Sequence, residues 1–193
     1  MKERCPWSTK NALMTEYHDL EWGVPVYEDA KLFEFIVLEG FQAGLSWDIV
    51  LKKREAFREA FDGFDCTAIA AYAPEKVEVL MQNSNIIRNR AKITGTINNA
   101  NCFIEVQKEF GSFSHYIWQF VHHTPVVNHF TSLSELPART ELSDRISADL
   151  KKRGFKFVGS TVVYAHLQAT GLVNDHLISC YRHAEINASY TNK

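Results

Sequence analysis

The chain has 193 residues, of which 46% are apolar and 12% aromatic, and its formal net charge is −2. This composition excludes a disordered chain, and the length suits a single domain with room for two lobes. We predict no signal peptide, because the first residues are polar and broken by Pro6, and no apolar run is long enough to span a bilayer. Four scattered cysteines fit a reduced, cytoplasmic protein better than a disulfide scaffold.

Apolar residues at helical spacing predict helices along the first half of the chain. Asp29 is the expected N-cap of a helix that stops at a glycine break over residues 40–44. The next helix is expected to start near Ser46, and Asp65 and Pro74 are expected to open two shorter ones.

The second half of the chain has the same character. A long helix is expected from about Asn89 to Lys108, another from near Ser112, and a long connection over residues 125–137. No segment alternates with period two for long enough to predict a sheet. The predicted class is all-α, with residues 1–193 forming one helical domain. The polar tail from His183 to Lys193 is expected to be poorly ordered.

A helix, a tight glycine-bounded turn and a second helix are predicted over about residues 143–171. Ser143 is the expected cap of the first helix, and Gly159 or Ser160 starts the second, which runs to about Thr170. Free N–H groups at that start, with Lys156 adding charge, suit a DNA phosphate. The alternative is an ordinary turn between two packed helices. The candidate DNA-binding residues here are Gly154, Phe155, Lys156, Gly159 and Ser160.

The two ends of the chain each carry one cysteine and one histidine: Cys5 and His18, then His176 and Cys180. The spacing of the second pair predicts that both side chains lie on one turn of a helix. Two thiolates and two imidazoles complete a tetrahedral zinc site without an open position, which favours a structural metal. The alternative is two buried cysteines and two unrelated histidines.

Glu39 ends an apolar helical stretch, where a carboxylate is costly to bury without a partner. Tyr17, Trp22 and Trp47 lie around it in sequence and could stack on a flat ligand. A carboxylate with aromatic walls suits a cationic aromatic guest. The alternative is that Glu39 pairs at the surface while the tryptophans fill the core.

Basic residues cluster at 52–54, at 88–92 and at 151–156. Such clusters are usually solvated helix faces, although a local basic patch on a near-neutral protein can also contact a phosphate backbone. Composition alone leaves both interpretations open.

Sequence strings along nearly the whole chain, from about residue 3 to residue 180, closely resemble those of 3-methyladenine DNA glycosylases of type I. In order, they are ERCPW, YHDLEWGVP, LFEFIVLEGFQAGLSW, LKKREAF, IIRNRAKI and LKKRGFKFVGSTVVYAHLQATGLVNDH, followed by Cys180. The resemblance implies an all-α helix–hairpin–helix enzyme that hydrolyses the N-glycosidic bond of 3-methyladenine in alkylated DNA. It implies base flipping, an abasic product and no lyase activity.

The resemblance also implies roles for individual residues. One structural zinc per chain would be held by Cys5, His18, His176 and Cys180 and would join the segments 5–18 and 176–180. Glu39 matches the carboxylate that contacts the base, and Tyr17, Trp22 and Trp47 match the aromatic pocket. Gln42, Gly44 and Leu45 match the loop that enters the duplex gap. The implied partner is double-stranded DNA containing alkylated adenine, with no nucleotide cofactor, no membrane and a monomeric protein.

Three positions depart from the related patterns. Asn174 stands where the wider superfamily usually has a catalytic Asp, so we expect Asp175 to cap a helix or support the metal site instead. Val158 stands where bifunctional members carry a Schiff-base Lys, so no imine is expected. Met14 replaces an aromatic residue that is common near the pocket.

Two other functions fit the sequence less well. A zinc hydrolase of another kind is disfavoured because there is no H-E-x-x-H string and because four protein ligands leave zinc no open position. A non-catalytic DNA-damage sensor would be favoured by an empty pocket, but the carboxylate and the aromatic residues are present.

Overall fold

The computed structural model describes residues 2–191, and helices dominate this range. The helices are α1 (Ala12–Leu20), α2 (Asp29–Gln42), α3 (Trp47–Lys52), α4 (Arg54–Ala60), α5 (Cys66–Ala70), α6 (Pro74–Gln82), α7 (Arg90–Phe110), α8 (Phe113–Trp118), α9 (Glu141–Lys152), α10 (Ser160–Ala169) and α11 (Tyr181–Thr191). Four short 3-10 helices accompany them within residues 2–191: Pro6–Lys10 precedes α1, and Asp62–Phe64, Gln119–Val121 and Leu133–Glu135 lie between later helices. The all-α prediction is confirmed.

The small departure from all-α is one parallel pairing between β1 (Val126–Val127) and β2 (Val173–Asn174). A two-residue strand is too short for an alternating pattern, so the sequence carried no signal for it. The pairing fixes the long connection over residues 125–137 against the segment that leads to His176.

The centre of the molecule is α2, in which every residue from Leu32 to Phe41 is buried. A helix that is buried on all sides is a core element rather than an amphipathic surface helix. It packs on α7, α8 and α10 within the larger apolar core. A second, smaller core contains Cys5, Tyr17, Trp22 and Cys180 and ties the N-terminal segment to the C-terminal one. Both cores meet at α2, which carries Glu39.

Most predicted helix starts are confirmed, and two are displaced. Asp29 is the first residue of α2 rather than its cap, and its carboxylate instead accepts hydrogen bonds from the backbone N–H groups of Phe113 and Ser114 at the start of α8. Thr140, not Ser143, is the N-cap of α9. Ser143 occupies the third position, where its N–H and hydroxyl complete a reciprocal capping box with Thr140.

Three further expectations were wrong. α2 continues through Gly40 and ends at Gln42, because one glycine inside a packed helix costs little beside the burial of its neighbours. His176 and Cys180 lie on a turn before α11, in which the Cys180 N–H bonds to the Leu177 carbonyl, and not on a helix. The chain after His183, expected to be poorly ordered, continues α11 to Thr191, and residues 192–193 lie outside the described range.

Candidate functional site

The four predicted metal ligands meet in the smaller core. Their ligand atoms all lie within 4.8 Å of one another, and all four residues are buried. The Cys180 sulfur lies 3.4 Å from His18 Nε2 and 3.5 Å from His176 Nδ1, and the Cys5 sulfur lies 3.7 Å from His176 Nδ1. Zn–S bonds of about 2.3 Å and Zn–N bonds of about 2.05 Å at a tetrahedral angle place sulfur and nitrogen about 3.6 Å apart. The cluster therefore has the dimensions of a tetrahedral metal site.

Each imidazole is oriented by the nitrogen that faces away from the cluster. His18 Nδ1 lies 2.8 Å from the carboxylate of Asp19, which Arg4 holds with hydrogen bonds from Nε and Nη2. His176 Nε2 lies 2.9 Å from the backbone carbonyl of Trp22. If these nitrogens donate, the other nitrogen of each ring is left as a lone pair aimed at the cluster. Such outer partners are typical of metal-binding histidines.

The donor set favours a soft or borderline metal such as zinc, and all four positions are supplied by protein. The hydrogen bond from Cys5, with those from His176 and His18, lowers the pKa of the Cys180 thiol and so favours the thiolate that a metal requires. Because no coordination position would remain for water or substrate, the site fits a structural metal and does not fit a metal hydrolase.

A second site lies next to this cluster. A cavity of about 300 Å³, at the lower end of the range for small-molecule pockets, is bounded by residues from α1, α2, α3 and α10. Its lining residues are Trp7, Met14, Tyr17, Trp22, Glu39, Gln42, Trp47, Leu136, Ala165 and Gln168. The predicted pocket residues Tyr17, Trp22, Glu39 and Trp47 are thus brought together around one cavity.

Glu39 stands out because its charge is not compensated. Its Oε2 is buried and accepts no hydrogen bond from the described part of the chain. Burial raises the pKa of Glu39 to about 8. Glu34, one and a half turns earlier on the same buried helix, instead receives Arg54 Nε at 2.6 Å, and its pKa is lowered. Glu39 is therefore the carboxylate of α2 that is left available for a ligand.

No positively charged side chain in residues 2–191 is paired with Glu39. His166 lines a small void of about 10 Å³ beside Glu39, and burial lowers the pKa of this histidine to about 4, so its ring is neutral. Burial also raises the pKa of Tyr17. A cationic ligand would consequently supply the missing counter-charge.

The raised pKa of Glu39 predicts how stability depends on pH. In the folded protein Glu39 keeps its proton up to about pH 8. In the unfolded chain the same carboxyl group titrates at the reference pKa of glutamate, about 4.3. The native state therefore binds more protons across this window, and its free energy of unfolding should fall as pH rises, by at most about 1.4 kcal/mol per pH unit from this group. Urea unfolding of wild type and Glu39→Gln at several pH values isolates the contribution. We expect the free energy of unfolding of the variant, relative to that of wild type, to increase from about pH 5 to pH 8. A difference that does not change with pH would contradict the buried state of Glu39.

Aromatic rings form the walls of the cavity. The rings of Tyr17 and Trp47 lie 5.3 Å apart, and those of Trp7 and Trp22 lie 5.0 Å apart. The buried indole N–H of Trp47 has no acceptor among the described residues. A free donor and a free acceptor in one aromatic pocket suit a flat, polar ring as the ligand.

The pocket and the metal cluster share a wall. The Trp22 ring packs edge-on against His176 at 4.6 Å and lies over His18 at 6.4 Å. Adjacent Gly23 has φ +79°, and a Cβ there would approach the His176 ring to 3.1 Å. The ligand cluster therefore helps to hold one side of the pocket in place.

The predicted loop at the pocket rim follows α2. Gly44 has φ +85°, a conformation that favours glycine, and Leu45 projects with 40% of its surface exposed. Lys92, predicted as part of a basic cluster, is buried instead and donates from Nζ to the carbonyls of Phe41 at 2.9 Å and Ala43 at 2.7 Å. A cation at the C-terminal end of a helix is favourable, so Lys92 anchors the base of this loop.

The predicted hairpin joins α9 to α10 through residues 153–159. Lys156 is exposed, whereas Phe155 is buried against Phe113, so any contact that Phe155 makes with DNA must be through its backbone. Gly154 has φ +93° and Gly159 is the N-cap of α10. None of the hairpin residues 153–159 lines the Glu39 cavity itself.

Most residues of the basic clusters form ion pairs or hydrogen bonds within the protein. Lys52 pairs with Asp48, Arg54 is buried between Glu21 and Glu34, and Arg90 pairs with Glu78. The interpretation of residues 52–54 as a solvated face is wrong for Arg54, which is 5% exposed. Lys151 and Lys152 remain exposed beside the hairpin.

A larger groove of about 550 Å³ lies between α1 and the start of α2, but its chemistry is already satisfied. Two of its carboxylates, Glu21 and Glu34, are paired with Arg54 and Lys31. The smaller Glu39 cavity is the better candidate for ligand chemistry because its buried polar atoms lack partners.

The structure shows what surrounds the residues at which the sequence departs from the related patterns. The expectation that Asp175 caps a helix or supports the metal site is wrong: Asp175 is buried, and its carboxylate accepts hydrogen bonds from the side chains of Tyr164, Gln168 and Asn128. Val158 is buried in the main core, and Met14 lines the cavity. Sequence reasoning missed Trp7 and Gln168 as lining residues; Trp7 belongs to the quoted ERCPW string, but Gln168 gave no separate signal.

Comparisons with known proteins agree on one family. A family model described as methyladenine glycosylase matches residues 7–183. The DNA-3-methyladenine glycosylase 1 of Escherichia coli (strain K12) is 51% identical over 178 residues, which cover 92% of this chain and 95% of that protein. A crystal structure of 3-methyladenine DNA glycosylase I superposes with a TM-score of 0.90 at 49% identity, covering 93% of this chain and 98% of that one. A structure of the Staphylococcus aureus 3-methyladenine DNA glycosylase I, described as giving the basis of 3-methyladenine recognition, has a TM-score of 0.89 at 35% identity over 92% of this chain and 95% of that one.

Proposed function

The chain belongs to the methyladenine glycosylase family of hydrolases, and we propose that it removes 3-methyladenine from double-stranded DNA by turning the base into the Glu39 pocket, leaving an abasic site. The observation that carries this proposal is the buried, unpartnered carboxylate of Glu39 within aromatic walls. A 3-methylated adenine in DNA is cationic and flat, and the pocket offers a negative group and ring surfaces. A damaged base is also cheaper to extrude than a paired normal one.

Cleavage of the N-glycosidic bond needs little acid catalysis from the protein, because the departing base is already cationic. The electron pair of the breaking N-glycosidic bond neutralises the cationic base, which leaves as neutral 3-methyladenine. The sugar becomes an oxocarbenium ion, to which water adds with loss of a proton. The protein has to select the cation, exclude normal bases and stabilise the positive charge as it moves to the sugar, chiefly by fixed electrostatics.

Each pocket residue has a role in this proposal. Glu39 accepts a hydrogen bond from the exocyclic amine and balances the ring charge, while Tyr17, Trp22 and Trp47 stack around the base. Leu45, supported by Gln42 and Gly44, fills the gap in the duplex, and its exposure at the pocket rim supports this role. The hairpin residues 154–160 hold a phosphate through backbone N–H groups and Lys156.

Cys5, His18, His176 and Cys180 would hold one structural zinc. Bound there, the metal would supply a cross-link between the chain ends rather than reaction chemistry, because all four positions are filled by protein. None of the helices within residues 2–191 is both long enough and apolar enough to cross a membrane. A cytoplasmic monomer without a nucleotide cofactor stays our prediction.

The direct test is base release from methylated duplex DNA, with 3-methyladenine and 7-methylguanine separated by chromatography. We expect wild type to release 3-methyladenine and to leave 7-methylguanine in the DNA. Tight binding to the duplex without release of either base would instead indicate a damage sensor and would overturn the proposal.

We also predict that the product is an intact strand with an abasic site. A lyase needs an amine nucleophile, and the position expected to carry it is Val158, whose side chain is buried and cannot form an imine. Borohydride should therefore trap no covalent protein–DNA complex, and strands should break only after alkali treatment. Cleavage before alkali, at a rate that follows base release, would contradict this prediction.

A further inference from the structure

The hairpin is held to α7 by two adjacent asparagines. Asn99 Nδ2 donates to the Lys156 carbonyl at 2.9 Å, and the Lys156 N–H donates to Asn99 Oδ1 at 2.7 Å. Asn98 Nδ2 donates to the Gly154 carbonyl at 2.8 Å. Asn99 is 4% exposed, so its amide is largely shielded from water although Lys156 itself is exposed. One amide side chain thus satisfies both backbone groups of a single hairpin residue, as a neighbouring strand would.

The hairpin residue next to this clamp has an unfavourable backbone. Phe157 has φ +57°, which is uncommon for a residue with a Cβ, and such conformations persist only where surrounding contacts impose them. Its ring covers Gly95 on α7, where an added Cβ would come within 2.7 Å of the ring. Its own Cβ lies against Gly40 of α2, where an added Cβ would be 3.6 Å away. Gly40 directly follows Glu39, so Phe157 joins the hairpin to the helix that carries the pocket carboxylate.

We propose that Asn99, supported by Asn98, is a positioning residue for DNA binding: it fixes the 154–157 backbone so that the amides that follow it face a phosphate at a set distance from the Glu39 pocket. This inference rests on the proposed function, because it requires the hairpin to contact DNA. Asn99 touches neither base nor phosphate and acts through the hairpin backbone.

The residue type is dictated by the two hydrogen bonds. The Lys156 carbonyl needs a donor and the Lys156 N–H needs an acceptor, and an amide side chain supplies one of each. In Asn99→Asp one carboxylate oxygen still accepts from the Lys156 N–H, but the other faces the Lys156 carbonyl with a negative charge. The variant is nearly isosteric with wild type, so it releases the clamp without creating a cavity.

The test compares two affinities in the same variant. Binding to a duplex with a tetrahydrofuran abasic-site analogue is measured by fluorescence anisotropy, and binding of free 3-methyladenine by quenching of tryptophan fluorescence. For Asn99→Asp we expect the Kd for the duplex to rise about tenfold, as for the loss of one good hydrogen-bonded contact. The Kd for the free base should stay within about twofold of wild type, a difference too small to indicate a lost contact.

The salt dependence of duplex affinity distinguishes a weakened hairpin contact from a general loss of structure. Backbone amides are neutral, so in Gly95→Ala, which moves the hairpin without adding a charge, weaker contact should lower affinity at every salt concentration and leave the slope of log K against log salt unchanged. Lys156→Ala should behave differently and reduce that slope by about one.

Two further variants make the outcome decisive. Asn101→Asp is the matched control, because Asn101 is exposed on the same helix and its side chain donates to the Ile97 carbonyl of its own turn, away from the hairpin. Gly95→Ala displaces the Phe157 ring by an independent route while favouring the helix. Weaker duplex binding in Asn99→Asp and Gly95→Ala, with Asn101→Asp like wild type, supports the proposal. Duplex binding within twofold of wild type in both, or equal weakening of duplex and base, overturns it. A wild type that binds no duplex refutes the proposed function itself.

Discussion

Replacing Glu39 by glutamine is expected to lower kcat/KM for 3-methyladenine release about 100-fold, the scale for removing one preorganised electrostatic group from an active site. The substitution keeps the shape of the side chain and a carbonyl oxygen that can accept a hydrogen bond. It removes the negative charge, which acts strongly because Glu39 is buried and has no paired cation among the described residues. The loss should therefore be larger for the cationic lesion in DNA than for the neutral free base.

The pH profile distinguishes this role from simple packing. The pKa of Glu39 is raised to about 8, so the free enzyme carries a proton there at neutral pH and must lose it when a cation enters. For wild type, kcat/KM should rise with pH and level off above about 8, because this profile reports ionisation of the free enzyme. In Glu39→Gln this rise of kcat/KM with pH should disappear.

A matched control is available on α1. Glu16 is an exposed carboxylate next to the pocket residue Tyr17, and Glu16→Gln removes the same charge without reaching the cavity. We expect its kcat/KM and pH profile to match wild type. Full activity of Glu39→Gln, or an equal loss in both variants, would refute the role of Glu39.

The sequence predicted what depends on local chemistry. Asn89, Ser112 and Asp65 were recognisable as caps or starts because a capping side chain acts within a few residues of itself. The Cys/His cluster was recognisable because only a few residue types bind zinc. In both cases, the residue type and its neighbours carry the information.

Contacts between segments that are distant in the chain could not be predicted from the sequence. The Asp29 carboxylate caps α8, more than eighty residues away, and nothing near Asp29 distinguishes that role from capping its own helix. Gln168 lines the pocket because α10 packs on α2, and the Asn99 clamp exists because α7 passes behind the hairpin. The spacing of His176 and Cys180 suggested a helix, yet a turn brings the same atoms equally close. Side-chain convergence can thus be inferred correctly from a wrong local structure.

Replacing one of the four clustered cysteines and histidines is expected to have the largest effect on stability, because we propose that they hold a metal. The cluster joins residues 5–18 to residues 176–180, so a bound metal closes a loop that contains nearly the whole chain. By the loop-closure argument for cross-links, such a tie contributes about 5 kcal/mol to the free energy of unfolding. Cys180→Ser should lose most of this stability, and a chelator should bring wild type close to the same value.

Two measurements and a control test this expectation. Elemental analysis should find about one zinc per chain in wild type, the stoichiometry of a closed four-ligand site, and far less in Cys180→Ser. Cys66→Ser changes a half-buried thiol outside the cluster and should keep both the metal and the stability to within about 1 kcal/mol. A wild type without bound metal, whose unfolding is insensitive to chelator, would contradict the structural role.

The shared wall at Trp22 extends this prediction from stability to binding. The Trp22 ring rests on His176 and His18, and it also lines the Glu39 pocket. Without the metal, two buried thiols and two imidazoles have no common centre to fix their rings, so Trp22 loses a rigid support. Cys180→Ser should therefore bind free 3-methyladenine more weakly at temperatures where it remains folded. Unchanged base binding in a folded, zinc-free variant would show that the metal stabilises the chain ends without shaping the pocket.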